Sequence, residues 1–102
     1  MSDVTMRPLR ELVEDHRDAI KAIVARHHGQ SVAIFGSVAR GDERPGSDID
    51  FLVELKPDAR PIEILSIGVE LEETLGVKVD VGTPTSLRER LRDEVLAEAV
   101  PL

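Results

Sequence analysis

Between Asp48 and Leu55 the chain alternates. Ile49, Phe51, Val53 and Leu55 fall on one side, and Asp48, Asp50, Leu52 and Glu54 on the other. A period of two belongs to a strand with one buried face, and a slip of one residue would turn those apolar side chains into water. A helix does not satisfy the pattern, because residues two apart do not share a helix face. This segment therefore commits the chain to a sheet with one face on a core and two aspartates on the other face.

The remaining elements arrange themselves around that strand. Leu9, Leu12, Val13, His16, Ile20, Ile23, Val24 and His27 recur at three- and four-residue steps. The spacing predicts one amphipathic helix from about Pro8 to His28, with Pro8 in its first turn and Gly29 as its stop. Val32-Ala33-Ile34-Phe35 reads as a buried strand. Gly36 to Gly46 is punctuated by glycines and Pro45, so it reads as a loop with one helical turn at Ser37–Arg40. Lys56 to Pro61 is a turn-rich link. Ile62 to Leu75 predicts a helix with Ile64, Ile67, Leu71 and Leu75 on one face, ended by Gly76. Val77, Val79 and Val81 alternate with polar or small residues as a third strand. Ser86 to about Ala99 predicts a last helix, with Ser86 as N-cap and Leu87, Leu91 and Val95 as its seam. The order α–β–(loop)–β–α–β–α predicts an α+β fold, an α/β sandwich. Its small mixed sheet of three to four strands has helices packed on one side.

A chain of 102 residues has room for one core, so residues 1–102 are expected to form a single domain. Phe35 and Phe51 are its only aromatics, both expected in that core. So thin a core makes help from a partner or a self-pair an expectation. Lys plus Arg number 13 and Asp plus Glu 20, a net charge of −7. That balance argues against gripping nucleic acid by its phosphates, which needs a basic surplus. With no cysteine, disulfides, thiol chemistry and Cys-based zinc sites are excluded. No apolar run approaches a membrane span and Met1-Ser2-Asp3-Val4 lacks signal-peptide order, so the expected address is the cytoplasm.

The chemistry concentrates in two places. Asp48 and Asp50 leave the same face of their strand, and Asp80 is the odd polar member of Val79-Asp80-Val81. If the valine faces share one core, the three carboxylates converge on one patch of sheet. Close carboxylates repel unless something positive sits among them, and Mg²⁺ suits a few carboxylates plus substrate phosphates. The plainer alternative is a set of solubilising strand-edge charges. The second place is Gly36-Ser37-Val38-Ala39-Arg40-Gly41, directly after a strand. Gly36 permits a sharp turn and close approach of a ligand, and Ser37 offers a hydroxyl and a backbone N–H. An ordinary tight turn would use the same residues. Arg40 admits two roles, pairing a nucleotide phosphate or bracing the acidic patch. Ser47 stands where it can fix the loop end before Asp48. His16 and His27 lie on the apolar helix face as packed or interface residues, His28 reads as exposed, and Glu70, Glu72 and Glu73 read as a solvated helix face.

Gly36-Ser37-Val38-Ala39-Arg40-Gly41, then Ser47-Asp48-Ile49-Asp50, then Val79-Asp80-Val81 resemble the nucleotidyltransferase superfamily of DNA polymerase beta. Within it they resemble the minimal nucleotidyltransferases, MntA-type antitoxins encoded beside HEPN-domain toxins. The resemblance covers essentially the whole chain. It implies a mixed sheet flanked by helices and a site for ATP and two Mg²⁺ ions. Asp48, Asp50 and Asp80 would be the metal carboxylates. Gly36 and Ser37 would face the triphosphate, with Arg40 and Ser47 beside it. The implied reaction is attack of a hydroxyl on the α-phosphate with release of pyrophosphate. The implied acceptor is a tyrosine of a HEPN RNase toxin. The chain has no Tyr, which agrees with modification in trans. Gly82 departs from the family pattern, where a bulkier strand residue is usual. Two other functions stay open at this stage. One is an antitoxin that neutralises by binding alone, and the other is a nucleotidyltransferase acting on a small molecule.

Overall fold

The computed structural model describes residues 9–41, 46–84 and 89–102, the side chains of 89–92 excepted. The elements are α1 (Leu9–Asp15), α2 (Arg17–Arg26), β1 (Gly29–Phe35), α3 (Gly36–Arg40), β2 (Ile49–Leu55), α4 (Glu63–Leu75), β3 (Val79–Gly82), α5 (Glu89–Glu98) and β4 (Val100–Pro101). The four strands form one mixed sheet in the order β3-β2-β1-β4. β1 runs antiparallel to β2 and to β4, and β2 runs parallel to β3. Parallel neighbours need a crossover, and α4 supplies it.

Period two sorts the sheet as the alternation requires. Ile49, Phe51 and Val53 of β2 are fully buried and join Val32 and Ile34 of β1 in the core. Val13 of α1, Ile20, Ile23 and Val24 of α2, Val38 of α3, and Ile67, Leu71 and Leu75 of α4 close over that face. β4 adds Val100 beside Ile34, and Leu102 N–H then donates to Val32 O at 3.0 Å. Sheet, helices and C-terminal strand thus meet in an α+β sandwich.

Four features differ from the sequence reading. The first helix is two helices. At His16 the backbone leaves helical geometry (φ −112°, ψ 18°), and the ring Nδ1–H donates to Leu12 O at 3.0 Å. Val13 and Ile20 stay buried on either side, so the apolar periodicity runs through the break unmarked. Second, the turn after α2 is made by His28 in the left-handed region (φ 64°) rather than by Gly29. Gly29 opens β1 where a Cβ would come within 2.3 Å of Val24 Cγ1. Third, the fourth strand of the expected three to four is the two-residue β4 at Val100–Pro101, a segment the spacing assigns to no element. Fourth, Phe35 is only half-buried and stands outside the core cluster, whereas Phe51 is fully buried. Phe35 pairs with Asp50, one residue beyond the core pair Ile34 and Phe51, so it belongs to the opposite sheet face.

The other predicted elements are present with shifted ends: β1 begins at Gly29 rather than Val32, and β3 runs Val79–Gly82 rather than from Val77. α4 ends at Gly76 in the left-handed conformation (φ 73°). The glycine-punctuated segment contains one short helix, α3, closed by left-handed Gly41. Pro8, Pro45, Ser86 and Leu87 lie outside the described residues. Among the described residues no helix is long and apolar enough to cross a membrane.

Candidate active site

Parallel pairing places Asp50 of β2 directly beside Asp80 of β3. Partners in a parallel ladder point to the same side, and Phe51 and Val81 form the next pair toward the core. Asp50 and Asp80 therefore share the outer face, in a row that continues across β1 to Phe35. Asp48 is two residues before Asp50 at the mouth of β2, and its side chain is exposed. Asp80 is exposed as well, while Asp50 is half-buried. On the same face Leu52 is nearly covered, at 6% exposure, so the carboxylate patch has an apolar floor.

The β1–α3 junction closes over the patch. β1 ends at Phe35 opposite Asp50, and Gly36 turns the chain with φ +73°. A Cβ on Gly36 would lie 2.3 Å from Asp50 Oδ2, a distance at which one of the two must move. α3 is pinned by Val38, which is fully buried, and by Ala39 packed against the core. Arg10 of α1 adds a hydrogen bond from its guanidinium to Ala39 O at 3.2 Å. With Val38 inward, Ser37 is half-buried and Arg40 exposed at the edge of the patch. Ser47, half-buried, immediately precedes Asp48.

Electrostatics single out Asp50. Burial raises its carboxyl pKa above the ordinary range, the charges of Asp80 and Asp48 raise it further, and Arg40 opposes them. A half-buried carboxylate repelled by two neighbours is one that a cation would stabilise. Arg40 also pairs with Glu98 of α5, at 3.3 Å. That pair joins α3 to α5, while the Arg40 charge reaches Asp50. Among the described residues no group of three or more His, Cys, Asp or Glu is arranged as a metal centre. The donor chemistry nevertheless fits a hard divalent cation: oxygen ligands only, on one face, repelling each other in its absence.

The sequence reading missed two sets of residues. Glu98 is one, because its partnership with Arg40 spans two elements. The other is an ionic cluster on the helical side. His27 at the end of α2 faces Glu63 Oε1 at 3.1 Å through Nδ1 and Glu70 through Nε2. His28 reaches Glu63 at 3.2 Å, and Arg26 pairs with Glu70. Glu70 is thus a bridge between helices rather than part of a solvated face. Its hydrogen bonds from His27 and Arg26 lower its pKa, and His27 is raised in turn, mainly by Glu70. Glycine at position 82 stands beside Leu52 in the ladder.

Residues 14–102 match the nucleotidyltransferase domain family. A Methanocaldococcus jannaschii protein named as a protein adenylyltransferase is 38% identical over 88 residues, covering 86% of this chain and 95% of the relative. A solved minimal nucleotidyltransferase superposes with a TM-score of 0.83 at 40% identity, covering 91% of this chain and 95% of the other. A complex described as tri-AMPylated Shewanella oneidensis HEPN toxin with MNT antitoxin shares the fold at a TM-score of 0.65 and 19% identity. That match covers 86% of this chain and 69% of the other. A mixed sheet with Asp50 beside Asp80, a glycine turn laid over Asp50 and a family match spanning nearly the whole chain lead to one assignment: this chain belongs to the nucleotidyltransferase domain family, as a nucleotidyltransferase of the minimal type.

Proposed function

We propose that residues 1–102 act as a single cytoplasmic domain that transfers AMP from Mg-ATP to a tyrosine hydroxyl of a HEPN RNase toxin, silencing it. The observation that carries the reading is the pairing of Asp50 with Asp80 on one sheet face under the Gly36 turn. The acceptor class is supported by a relative named as a protein adenylyltransferase and by a structural neighbour described as an antitoxin with an AMPylated HEPN toxin. The absence of tyrosine from this chain is consistent with an acceptor on another protein.

In this reading Asp48, Asp50 and Asp80 hold the cations. When bound, Mg²⁺ neutralises triphosphate charge and orients the α-phosphate. Gly36 lets the backbone lie close to the polyphosphate, Ser37 and Ser47 offer hydrogen bonds, and Arg40 supplies positive charge. The acceptor oxygen forms a bond to the α-phosphorus as the bond to the bridging oxygen breaks, and pyrophosphate leaves. In the same reading Asp80, exposed at the outer face, takes the hydroxyl proton. Positioning and charge, rather than covalent chemistry by the protein, supply the rate.

The test is intact mass spectrometry of the neighbouring gene's product after incubation with this chain and ATP-Mg, with and without EDTA. An EDTA-sensitive increment equal to AMP is expected. A complex that forms without any increment overturns transfer and leaves neutralisation by binding. That second reading draws on one observation, an apolar stripe left exposed on α4.

A further inference from the structure

The outer surface of α4 breaks the rule that its inner surface obeys. Ile67, Leu71 and Leu75 are buried, yet Ile62, Leu65 and Val69 are 56%, 65% and 58% exposed. They recur at steps of three and four, so they form a stripe rather than scattered apolar residues. The stripe borders a groove of about 250 Å³ along β3, the edge strand of the sheet. Ile64, Leu65, Gly68 and Val69 line it from α4, and Val79 and Val81 from β3. That volume is below the roughly 300–1,000 Å³ of pockets that enclose whole small ligands, so it suits anchoring side chains of a larger partner.

Two charged residues mark the groove's purpose. Asp80 lines it and is also the partner of Asp50 in the carboxylate patch, so the groove and the patch share a residue. Glu72 lines it too, and its Oε2 accepts the Val79 N–H at 3.1 Å. That bond caps the strand edge there, which favours side-chain docking over addition of a further strand. The walls are thus apolar and the two charges both negative, on a chain of net charge −7. A second copy would bring the same acidic residues against themselves, whereas a segment with apolar anchors and basic neighbours complements both features.

We infer that the α4–β3 groove is the docking surface for the protein acceptor, seating a segment that pairs apolar anchors with basic residues and so leads the acceptor hydroxyl to the Asp80 end of the patch. The inference rests on the AMP-transfer reading, and a calorimetric arm keeps its failure distinct from the failure of that reading. Leu65→Asp and Val69→Asp, singly and together, place charge on exposed positions whose loss does not open the core. Circular dichroism melts check that the variants fold. With the neighbouring gene's product as acceptor, the double variant is expected to raise the acceptor KM by about tenfold or more, as loss of a central anchor does. At saturating acceptor kcat stays at the wild-type value, and the KM for ATP does not move. An unchanged acceptor KM overturns the inference. So does a change confined to self-association of the chain, which assigns the groove to a second copy. If the wild-type chain transfers no AMP, the transfer reading fails and the groove is judged by calorimetric affinity for the same protein. Weaker binding by the variants then upholds docking, and equal binding, or no binding by the wild type, overturns it.

Discussion

Gly36 and Asp50 compete for one volume, since a methyl group on the glycine would sit 2.3 Å from the Asp50 carboxylate oxygen. The glycine also holds φ at +73°, which costs an L-residue roughly 1–2 kcal/mol. Gly36→Ala is therefore expected to destabilise the fold by at least about that amount and to displace either α3 or the Asp50 side chain. Urea denaturation measures the first effect. The second shows as a loss of transfer in the population that remains folded.

The carboxylates separate chemistry from folding. Asp48→Asn, Asp50→Asn and Asp80→Asn are each expected to lower transfer by roughly 10²-fold or more, because in the proposed reading each removes a charge that would hold a cation. None is expected to destabilise. Asp50→Asn should raise stability near neutral pH, because burial and the Asp80 and Asp48 charges disfavour its ionised form. A loss of activity that tracks a fall in melting temperature would contradict this assignment.

Arg40 tests whether one side chain serves two ends. Its pair with Glu98 is exposed on both sides, so Arg40→Gln should change stability by no more than about 0.5 kcal/mol. If the guanidinium also meets a phosphate, Arg40→Gln raises the KM for ATP while Glu98→Gln leaves it unchanged. Equal effects of the two substitutions would confine Arg40 to bracing α5 against α3.

The His27 cluster makes stability depend on pH. Its pKa is raised from the ordinary 6.5 by hydrogen bonds and charge from Glu70 and Glu63, against the opposing effect of burial. The folded state thus holds a proton that the unfolded state releases more readily. The stabilisation is complete below 6.5 and is lost as pH rises through the higher folded value. The urea midpoint should therefore fall across that interval, and His27→Gln should flatten the fall. Glu70 acts at the other end. Its pKa is lowered from 4.5, so its contribution is present above that value and disappears as pH falls through the lowered one.

What the sequence displays and what it hides follow from how far apart the interacting residues lie. The Asp50 and Asp80 pairing is legible because period two ties each aspartate to its apolar neighbours, and the apolar faces must share a core. The helical turn at Ser37–Arg40 is legible from local punctuation, and α3 begins one residue earlier, at Gly36. The break at His16 is hidden because it leaves the apolar face continuous, with Val13 and Ile20 both buried. β4 is hidden because a two-residue strand has no periodicity of its own and exists through its pairing with β1. Phe35 misleads because all four residues of its run are apolar or small, which conceals that only Val32 and Ile34 face the core. The His27 cluster and the Arg40–Glu98 pair join residues 35 to 58 positions apart, and no local pattern announces such contacts.

The crossover between β2 and β3 is made by a helix whose two sides answer to different demands. Its inner side, through Ile67, Leu71 and Leu75, is bound to the core, while Leu65 and Val69 on its outer side, with Ile62 at its N-cap, stand in solvent. The spacing between Asp50 and Asp80 is set by backbone ladder bonds and owes nothing to those outer residues. Substitutions on the outer side can therefore accumulate without moving the aspartates, so descendants of one ancestral chain can change allegiance between partners while inheriting the same reaction.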